Sequence, residues 1–347
     1  QDFGPVSSSY SAYLKKNLEM INNDPSTKAI IIEIDTPGGT VLDAIKISKF
    51  IQNAKYKTIT FINNSAYSAG AIISLSSDYT VMKDGGKIGD VIPITKGPDG
   101  QYQSFRSKSN DMYEKQVRPV ITEIRVLAQL RRKRLIKDIS GGDKRYLHLK
   151  NSKSVQNLPE IFEAMVETDR KLTMKEHGYN LKSGEILILT SKDAYQLGVI
   201  DGIYDDVKAI RKGFNIEEYE LVRLKPTLFY KVLTILTNPA VMSILMTLGM
   251  LGMVVELWSP GWAVPGTIGI LALSLFFIGQ ISGSNPDWTA LILFIVGVIL
   301  IGLELFVIPG FGIVGVAGLI SIVLSFILAF QKSSFGGEEL SFNTALL

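Results

Sequence analysis

Two hydrophobic rhythms organise the first part of the chain, and a third replaces them near its end. Residues 8–23 place Tyr10, Tyr13, Leu14, Leu18 and Ile21 on one helical face. Lys28–Asp35 is a short apolar run rich in β-branched residues, as a buried parallel strand requires. Thr36-Pro37-Gly38-Gly39 breaks it, and Thr40–Asn53 resumes a helical period through Val41, Ala44, Ile45, Ser48 and Ile51. Lys57–Asn63 reads as the next strand, Asn64–Tyr67 as a turn leading to Ser68, Ala69–Ser77 as a helix of small residues, and Tyr79–Met82 as a third strand. Strands and helices that alternate in this way predict right-handed βαβ units and a parallel sheet. The strand count is low for a closed core, so a first strand is expected upstream of Gln1.

A long helix is expected over Asp111–Ile139, interrupted in pattern by Pro119. It runs into Arg131–Lys153, which holds nine Lys or Arg against two Asp. That stretch, taken as 130–156, is expected to be a solvated insertion or flexible loop, with contact to anionic lipid headgroups as the alternative. Asn157–Asp169 reads as an amphipathic helix, and Leu187–Leu189, a helix Ser191–Leu197 ended by Gly198, and Val199–Tyr204 close a domain of residues 1–215. Residues 216–238 follow as a linker, in which Thr227–Asn238 has the character of an interfacial helix.

Beyond residue 238 the periodicity gives way to apolar runs. Gly249, Glu256-Leu257, Pro260-Gly261, Gly266 and Gly269 return as Gly297, Glu304-Leu305, Pro309-Gly310, Gly315 and Gly318. Each repeat reads as helix, Pro-Gly turn, helix: about 240–258 with 263–281, then 288–307 with 312–330. The lengths suit membrane spans, so residues 239–331 are expected to form a transmembrane domain of two helical hairpins, with 332–347 as a tail. Gly-rich faces allow close helix packing. Glu256 and Glu304 lie near helix ends beside the turns, where interfacial placement competes with an intramembrane role.

Composition sharpens this picture. Mean hydropathy is +0.23, and from Pro239 to Phe330 the only charged residues are Glu256, Asp287 and Glu304. A net charge of +3 is too small to imply a nucleic-acid partner. The absence of Cys excludes disulfides, thiolate metal sites and a Cys nucleophile, and no motif calls for a metal or cofactor. No signal peptide is legible at Gln1. Arg223, Lys225, Lys231 and Lys332 flank the spans, which by the positive-inside rule puts the soluble part in the cytoplasm.

Ser68 carries the sharpest chemical signal. It follows a strand and a tight turn and opens a helix of Ala, Gly and Ile, at the carboxyl edge of the sheet. Gly38-Gly39, after the preceding strand, offers a second exposed backbone N–H facing it. Together they describe a nucleophile before two backbone donors, as acyl transfer needs. By itself a Ser here is usually an N-cap. The chain's two His, His148 and His177, lie outside the sheet-forming region, which disfavours a Ser–His–Asp triad. A lysine base is the remaining choice, and Lys108 and Lys115 stand seven residues apart so that one helix face could carry both. Periodicity does not choose between them. Asp35–Thr40 lacks the Lys-Ser/Thr of a P-loop.

Ile34–Gly39, Tyr67-Ser68-Ala69-Gly70-Ala71, Met82–Gly89, Thr190–Asp201 and the double hairpin resemble the NfeD family, membrane-bound proteases of the ClpP/crotonase fold related to the signal peptide peptidase SppA. The resemblance implies an α/β ClpP/crotonase-like parallel-sheet domain followed by an all-α transmembrane domain. It implies Ser68 as nucleophile and the Gly39 and Ala69 backbones as oxyanion donors. The family's base opens a helix of pattern K-x9-[KR]-x2-A-[QE], which Lys115, Arg125, Ala128 and Gln129 fit and Lys108 does not. It further implies no cofactor, a protein or peptide substrate such as a stomatin-like membrane protein, a homodimer or larger oligomer, and an extracytoplasmic protease domain. The rival expectations are acyl-CoA chemistry on the same fold and a non-enzymatic membrane scaffold.

Overall fold

β-Branched and aromatic residues fill Lys57–Tyr67, and this segment is the spine on which the N-terminal part is built. The computed structural model describes residues 6–96, 102–104, 110–174, 179–258, 264–282, 288–306 and 312–334. The chain divides into two units, Gln1–Lys225 and Pro226–Leu347. In the first, α1 (Ser8–Asn22), β1 (Ala29–Thr36), α2 (Val41–Gln52), β2 (Lys57–Tyr67), α3 (Ala69–Leu75) and β3 (Tyr79–Met82) follow in the expected order. β4 (Lys87–Gly89) precedes a small hairpin of β5 (Ile94–Lys96) and β6 (Tyr102–Ser104). Then come α4 (Asn110–Ser140), α5 (Leu158–Glu163), a second hairpin of β7 (Leu172–Met174) and β8 (Tyr179–Leu181), β9 (Ile188–Thr190), α6 (Ser191–Gln196), β10 (Gly202–Ile203) and α7 (Val207–Gly213).

The main sheet runs β10-β3-β2-β4-β9, with β1 on the other edge of β2. All its pairings are parallel except β4 with β9. β2 is longer than the sequence suggests, because the segment expected to turn at Asn64–Tyr67 stays extended. The cause is tertiary. Ser65, Ala66 and Tyr67 pair with Lys87, Ile88 and Gly89 after the first half of the strand has paired with β3. Asp35 adds to this by accepting from Ser65 N–H at 3.1 Å and Ser65 Oγ at 3.0 Å. Ile62, Ala66, Ala71, Ile88, Ile124 and Phe162 are fully buried members of the core formed between this sheet and its helices. Ile59, Phe61, Val81 and Ile210 form a second cluster beside α7.

The basic stretch is not a solvated loop. α4 continues through Ser140, and Arg131, Leu135, Tyr146, Leu149 and Val155 are all buried. Asp201 lies at the centre of this packing. It accepts from Arg131 at 3.1 Å, from Arg134, from the Tyr146 hydroxyl at 2.6 Å and, through Oδ2, from Thr80 N–H at 2.7 Å. The charge run therefore hides three buried polar anchors, which counting charges does not distinguish from a solvated face. α5 is likewise shorter than the helix expected at 157–169. The chain beyond it turns so that Glu163 meets Arg125 at 2.5 Å and also Arg170.

In the second unit α8 (Leu228–Leu236) precedes α9 (Pro239–Trp258), α10 (Val264–Ile281), α11 (Trp288–Phe306) and α12 (Ile313–Ser334). At ~1.5 Å per residue, the 18 to 22 residues of the last four give lengths of about 27–33 Å, close to a bilayer's apolar thickness. α9 and α10 form one antiparallel hairpin, and α11 and α12 form the other. A Cβ on Gly249 would stand 2.5 Å from Leu273 Cγ, and one on Gly297 would stand 2.8 Å from Gly318 O, so the repeated glycines are where helices touch. Phe276, Phe277, Phe294 and Phe326 pack together across the two hairpins.

The two repeated glutamates share one task. Glu256 Oε2 accepts from Gly266 N–H at 3.2 Å, and Glu304 Oε1 accepts from Gly312 N–H. Each carboxylate thus meets the amino end of the following helix, where free N–H groups and the helix dipole favour an anion.

Candidate active site

β1 and β2 end side by side, Thr36 opposite Ala66, so the segments that leave them emerge at one edge of the sheet. The first is Pro37-Gly38-Gly39. Its shape is held by Thr36, whose hydroxyl accepts from Gly38 N–H and donates to Gly38 O, each at 3.2 Å. Val6 N–H also donates to Gly38 O at 2.7 Å, and Thr40 N–H donates to Val6 O at 3.1 Å. These contacts leave Gly39 N–H without an acceptor among the described residues.

The second segment turns sharply at Ser68. Its backbone adopts φ 52° and ψ −118°, a conformation ordinarily left to glycine that costs about 1–3 kcal/mol for a residue with a Cβ. The turn is held from both sides. Ser68 N–H donates to Gly89 O at 3.1 Å, while Ser68 O accepts from Ala71 N–H at 3.0 Å. α3 then starts at once, close against β1: a Cβ on Gly70 would stand 2.5 Å from Thr36 Cγ2, which explains the run of small residues.

Ser68 occupies the N-cap position of α3 but makes no side-chain capping bond. Its half-buried hydroxyl has no hydrogen-bond partner among the described residues. The ordinary structural reason for a serine at this place is therefore missing. Ala69 N–H, in the first helical turn, is likewise without an acceptor. Gly38 and Ser68 are in direct apposition, since a Cβ on Gly38 would stand 2.7 Å from Ser68 Cβ and 3.3 Å from its Oγ. Gly38 is thus the residue that faces Ser68, with Ala69 next to the serine in the chain and Gly39 next to Gly38 and packed against Val6.

The predicted base is not joined to them. Lys115 lies in the second turn of α4 with its side chain exposed, and no hydrogen bond links it to Ser68. Lys108 lies outside the described residues, as does His177. His148 is exposed, its Nε2 3.0 Å from Tyr195 O and its ring 4.2 Å from the Tyr195 ring.

α4 itself is firmly placed. Glu123, nearly buried, accepts from Ser48 Oγ at 2.8 Å, from Lys49 Nζ at 2.9 Å and from Gln52 Nε2 at 3.2 Å, all on α2. Arg125 bonds Glu163 beside α5, and Arg131 and Arg134 bond Asp201 beside β10.

One neighbour of the site escaped the sequence reading. Asp90 follows the residue whose carbonyl holds Ser68 N–H, and it too has a positive φ, 50°. It is half-buried, and that burial pushes its carboxyl pKa above the ordinary value. A Gly-Asp pair after a short apolar run reads locally as a turn, and only the pairing of β4 with β2 brings it to the serine.

Residues 4–120 match the family described as NfeD1b, N-terminal domain, and residues 240–347 match the NfeD integral membrane domain. The chain is 32% identical over 324 residues to the membrane protein NfeD1b of Bacillus subtilis, covering 93% of this chain and 64% of that protein. It is 28% identical over 340 residues to the membrane-bound protease PH1510 of Pyrococcus horikoshii, covering 92% and 65%. The chain therefore spans a little under two thirds of the length of these relatives. Among solved structures it is similar to a mutant of the 1510-N membrane-bound stomatin-specific protease in complex with a substrate peptide, at 23% identity and TM-score 0.47 over 67% of this chain and 92% of that one. A second likeness is the 1510-N membrane protease specific for a stomatin homolog from Pyrococcus horikoshii, at 21% identity and TM-score 0.41 over 69% and 96%. The fold class is α/β with a mostly parallel sheet, followed by a helical C-terminal domain, as expected.

Proposed function

Because the chain belongs to the NfeD family of membrane proteins, we propose that it is a membrane-anchored serine endopeptidase with Ser68 as its nucleophile. The observation that carries this reading is an uncapped serine hydroxyl on a strained strand-to-helix turn, apposed to Gly38 and accompanied by two unengaged backbone N–H groups. In the proposed reaction Ser68 Oγ attacks the scissile carbonyl carbon and its proton passes to a neutral lysine amine. Negative charge grows on the carbonyl oxygen, and Gly39 and Ala69 N–H donate to it. The protonated lysine then gives its proton to the departing amine, and water releases the acyl group by the same path.

Lys115 is the proposed base on its match to the family spacing, with Lys108 as the alternative. A neutral lysine needs shelter from water. The exposed position of Lys115 therefore makes approach to Ser68 part of the proposal, with bound substrate or a second copy of the chain supplying the shelter. The substrate is proposed to be an apolar segment of a membrane-associated protein, a class in which the family resemblance includes stomatin-like proteins. α9 to α12 are proposed to cross the bilayer four times, with the protease domain outside the cytoplasm.

That Ser68 Oγ has no hydrogen-bonded base among the described residues also favours a second reading, a scaffold for membrane proteins whose serine is idle. A serine-directed fluorophosphonate separates the two. Covalent labelling of the full chain mapped to Ser68 by mass spectrometry supports the enzyme, and a folded chain that takes no label supports the scaffold.

A further inference from the structure

α8 is apolar on two sides, and only one of them is packed. Leu233 and Leu236 are buried, and the Leu236 backbone lies so close to α10 that a Cβ on Gly279 would stand 2.6 Å from Leu236 O. The other side carries Leu228, Val232 and Ile235 at helical spacing i, i+4, i+7, exposed by 77%, 43% and 59%. Lys231, also exposed, is the one charged residue between Thr227 and Asn238.

The placement of α8 says what covers that open side. Gly279 is near the carboxyl end of α10, so α8 rests at one end of the helical hairpin rather than along it. Its axis turns 72° from that of α9 at the break between them. A helix so inclined cannot run with the spans and lies across their end. Its exposed side is continuous in character with those of the helices it joins, where Ile244, Leu251, Leu271, Ile299 and Ile320 are also exposed. In a membrane protein those residues meet lipid. The short helix has no acid to repel an anionic headgroup, and its lysine is long enough to keep its ammonium in the headgroup layer while its stem stays apolar.

We propose that α8 is an in-plane anchor at the membrane–water boundary. Leu228, Val232 and Ile235 enter among the acyl chains, and Lys231 meets anionic lipid headgroups. The inference is independent of the chemistry assigned to Ser68.

The chain contains no cysteine, so single cysteines can carry a nitroxide without background. Leu228→Cys, Val232→Cys, Ile235→Cys and Lys231→Cys would be made in the full chain and reconstituted in vesicles of phosphatidylcholine and phosphatidylglycerol. Ile320→Cys on α12 serves as the lipid-facing reference. Power-saturation EPR with oxygen and a water-soluble nickel chelate reads the surroundings of each label. The expected result is oxygen collisions several-fold above nickel collisions at 228, 232 and 235, with nickel favoured at 231. Nickel-favoured values at 232 and 235 would place that side in water and overturn the proposal. Suppression of both reagents there would place it under protein and overturn it equally. A nickel-favoured reading at 320 as well would overturn the embedding of the helical unit, and the anchor with it.

Discussion

Gly38 faces Ser68 with no room for a side chain: a Cβ there would stand 2.7 Å from Ser68 Cβ and 3.3 Å from Oγ. Gly38 also has φ +125°, which a residue with a Cβ rarely adopts. Gly38 thus lies directly against the serine. Gly38→Ala should displace either the turn or the hydroxyl and lower kcat/KM about 10²-fold, the scale that follows a misplacement of ~1 Å. Thermal unfolding of the same variant should show a loss of about 1–3 kcal/mol.

Asp201 is the electrostatic centre that fixes the second half of α4. Burial alone would raise its pKa, but the Arg131 and Arg134 guanidiniums, with the Tyr146 hydroxyl and Thr80 N–H, hold it below the usual carboxylate range. A depressed native pKa stabilises the fold above the unfolded value, near ~3.9, and that stability disappears as pH falls through the native value. Asp201→Asn leaves two buried guanidiniums without their anion and should cost about 3–5 kcal/mol at pH 7. Urea unfolding should find the gap between wild type and variant narrowing below pH ~4. A gap that stays constant into acid would argue against the assigned charge state.

Asp90 has the opposite sign. Burial raises its native pKa, so the native state binds this proton more tightly than the unfolded chain, and ionisation near neutral pH opposes folding. Asp90→Asn should raise the thermal midpoint slightly at pH 7. The gain should fade as pH drops through the native pKa toward the unfolded one, where wild-type Asp90 is itself neutral. An unchanged midpoint at pH 7 would mean that water screens the carboxyl fully.

Glu256 and Glu304 act as caps in the helical unit. Replacement by Ala should cost about 1 kcal/mol each, as loss of a helix cap does, while Gln, which keeps an acceptor oxygen, should cost less. Denaturation in mixed micelles compares the two. Equal losses for Gln and Ala would show that the negative charge itself is required.

Much of this was legible because local pattern and tertiary structure agree. The βαβ order, the place of Ser68 and the four long helices follow from periodicity and turn residues that tertiary contacts leave unchanged. The failures have a common cause. Asn64–Tyr67 looks like a turn, yet pairing with β4 and the Asp35 carboxylate keep it extended. Arg131 and Arg134 look solvated, yet Asp201, some seventy residues away, draws them inside. Asp90 reaches the site only through the sheet. In each case the deciding partner lies far along the chain. The candidate base fares similarly: a spacing can nominate Lys115, but its distance from Ser68 is a property of packing.

Cleavage of a panel of apolar peptides by the full chain in detergent, compared with Ser68→Ala, tests the central claim most directly. The account predicts that wild type cleaves and that Ser68→Ala loses activity by at least ~10³-fold, as removal of a serine nucleophile does. Lys115→Ala should be equally inactive and Lys108→Ala active; the reverse would move the base and leave the nucleophile in place. Undiminished cleavage by a folded Ser68→Ala would contradict the account.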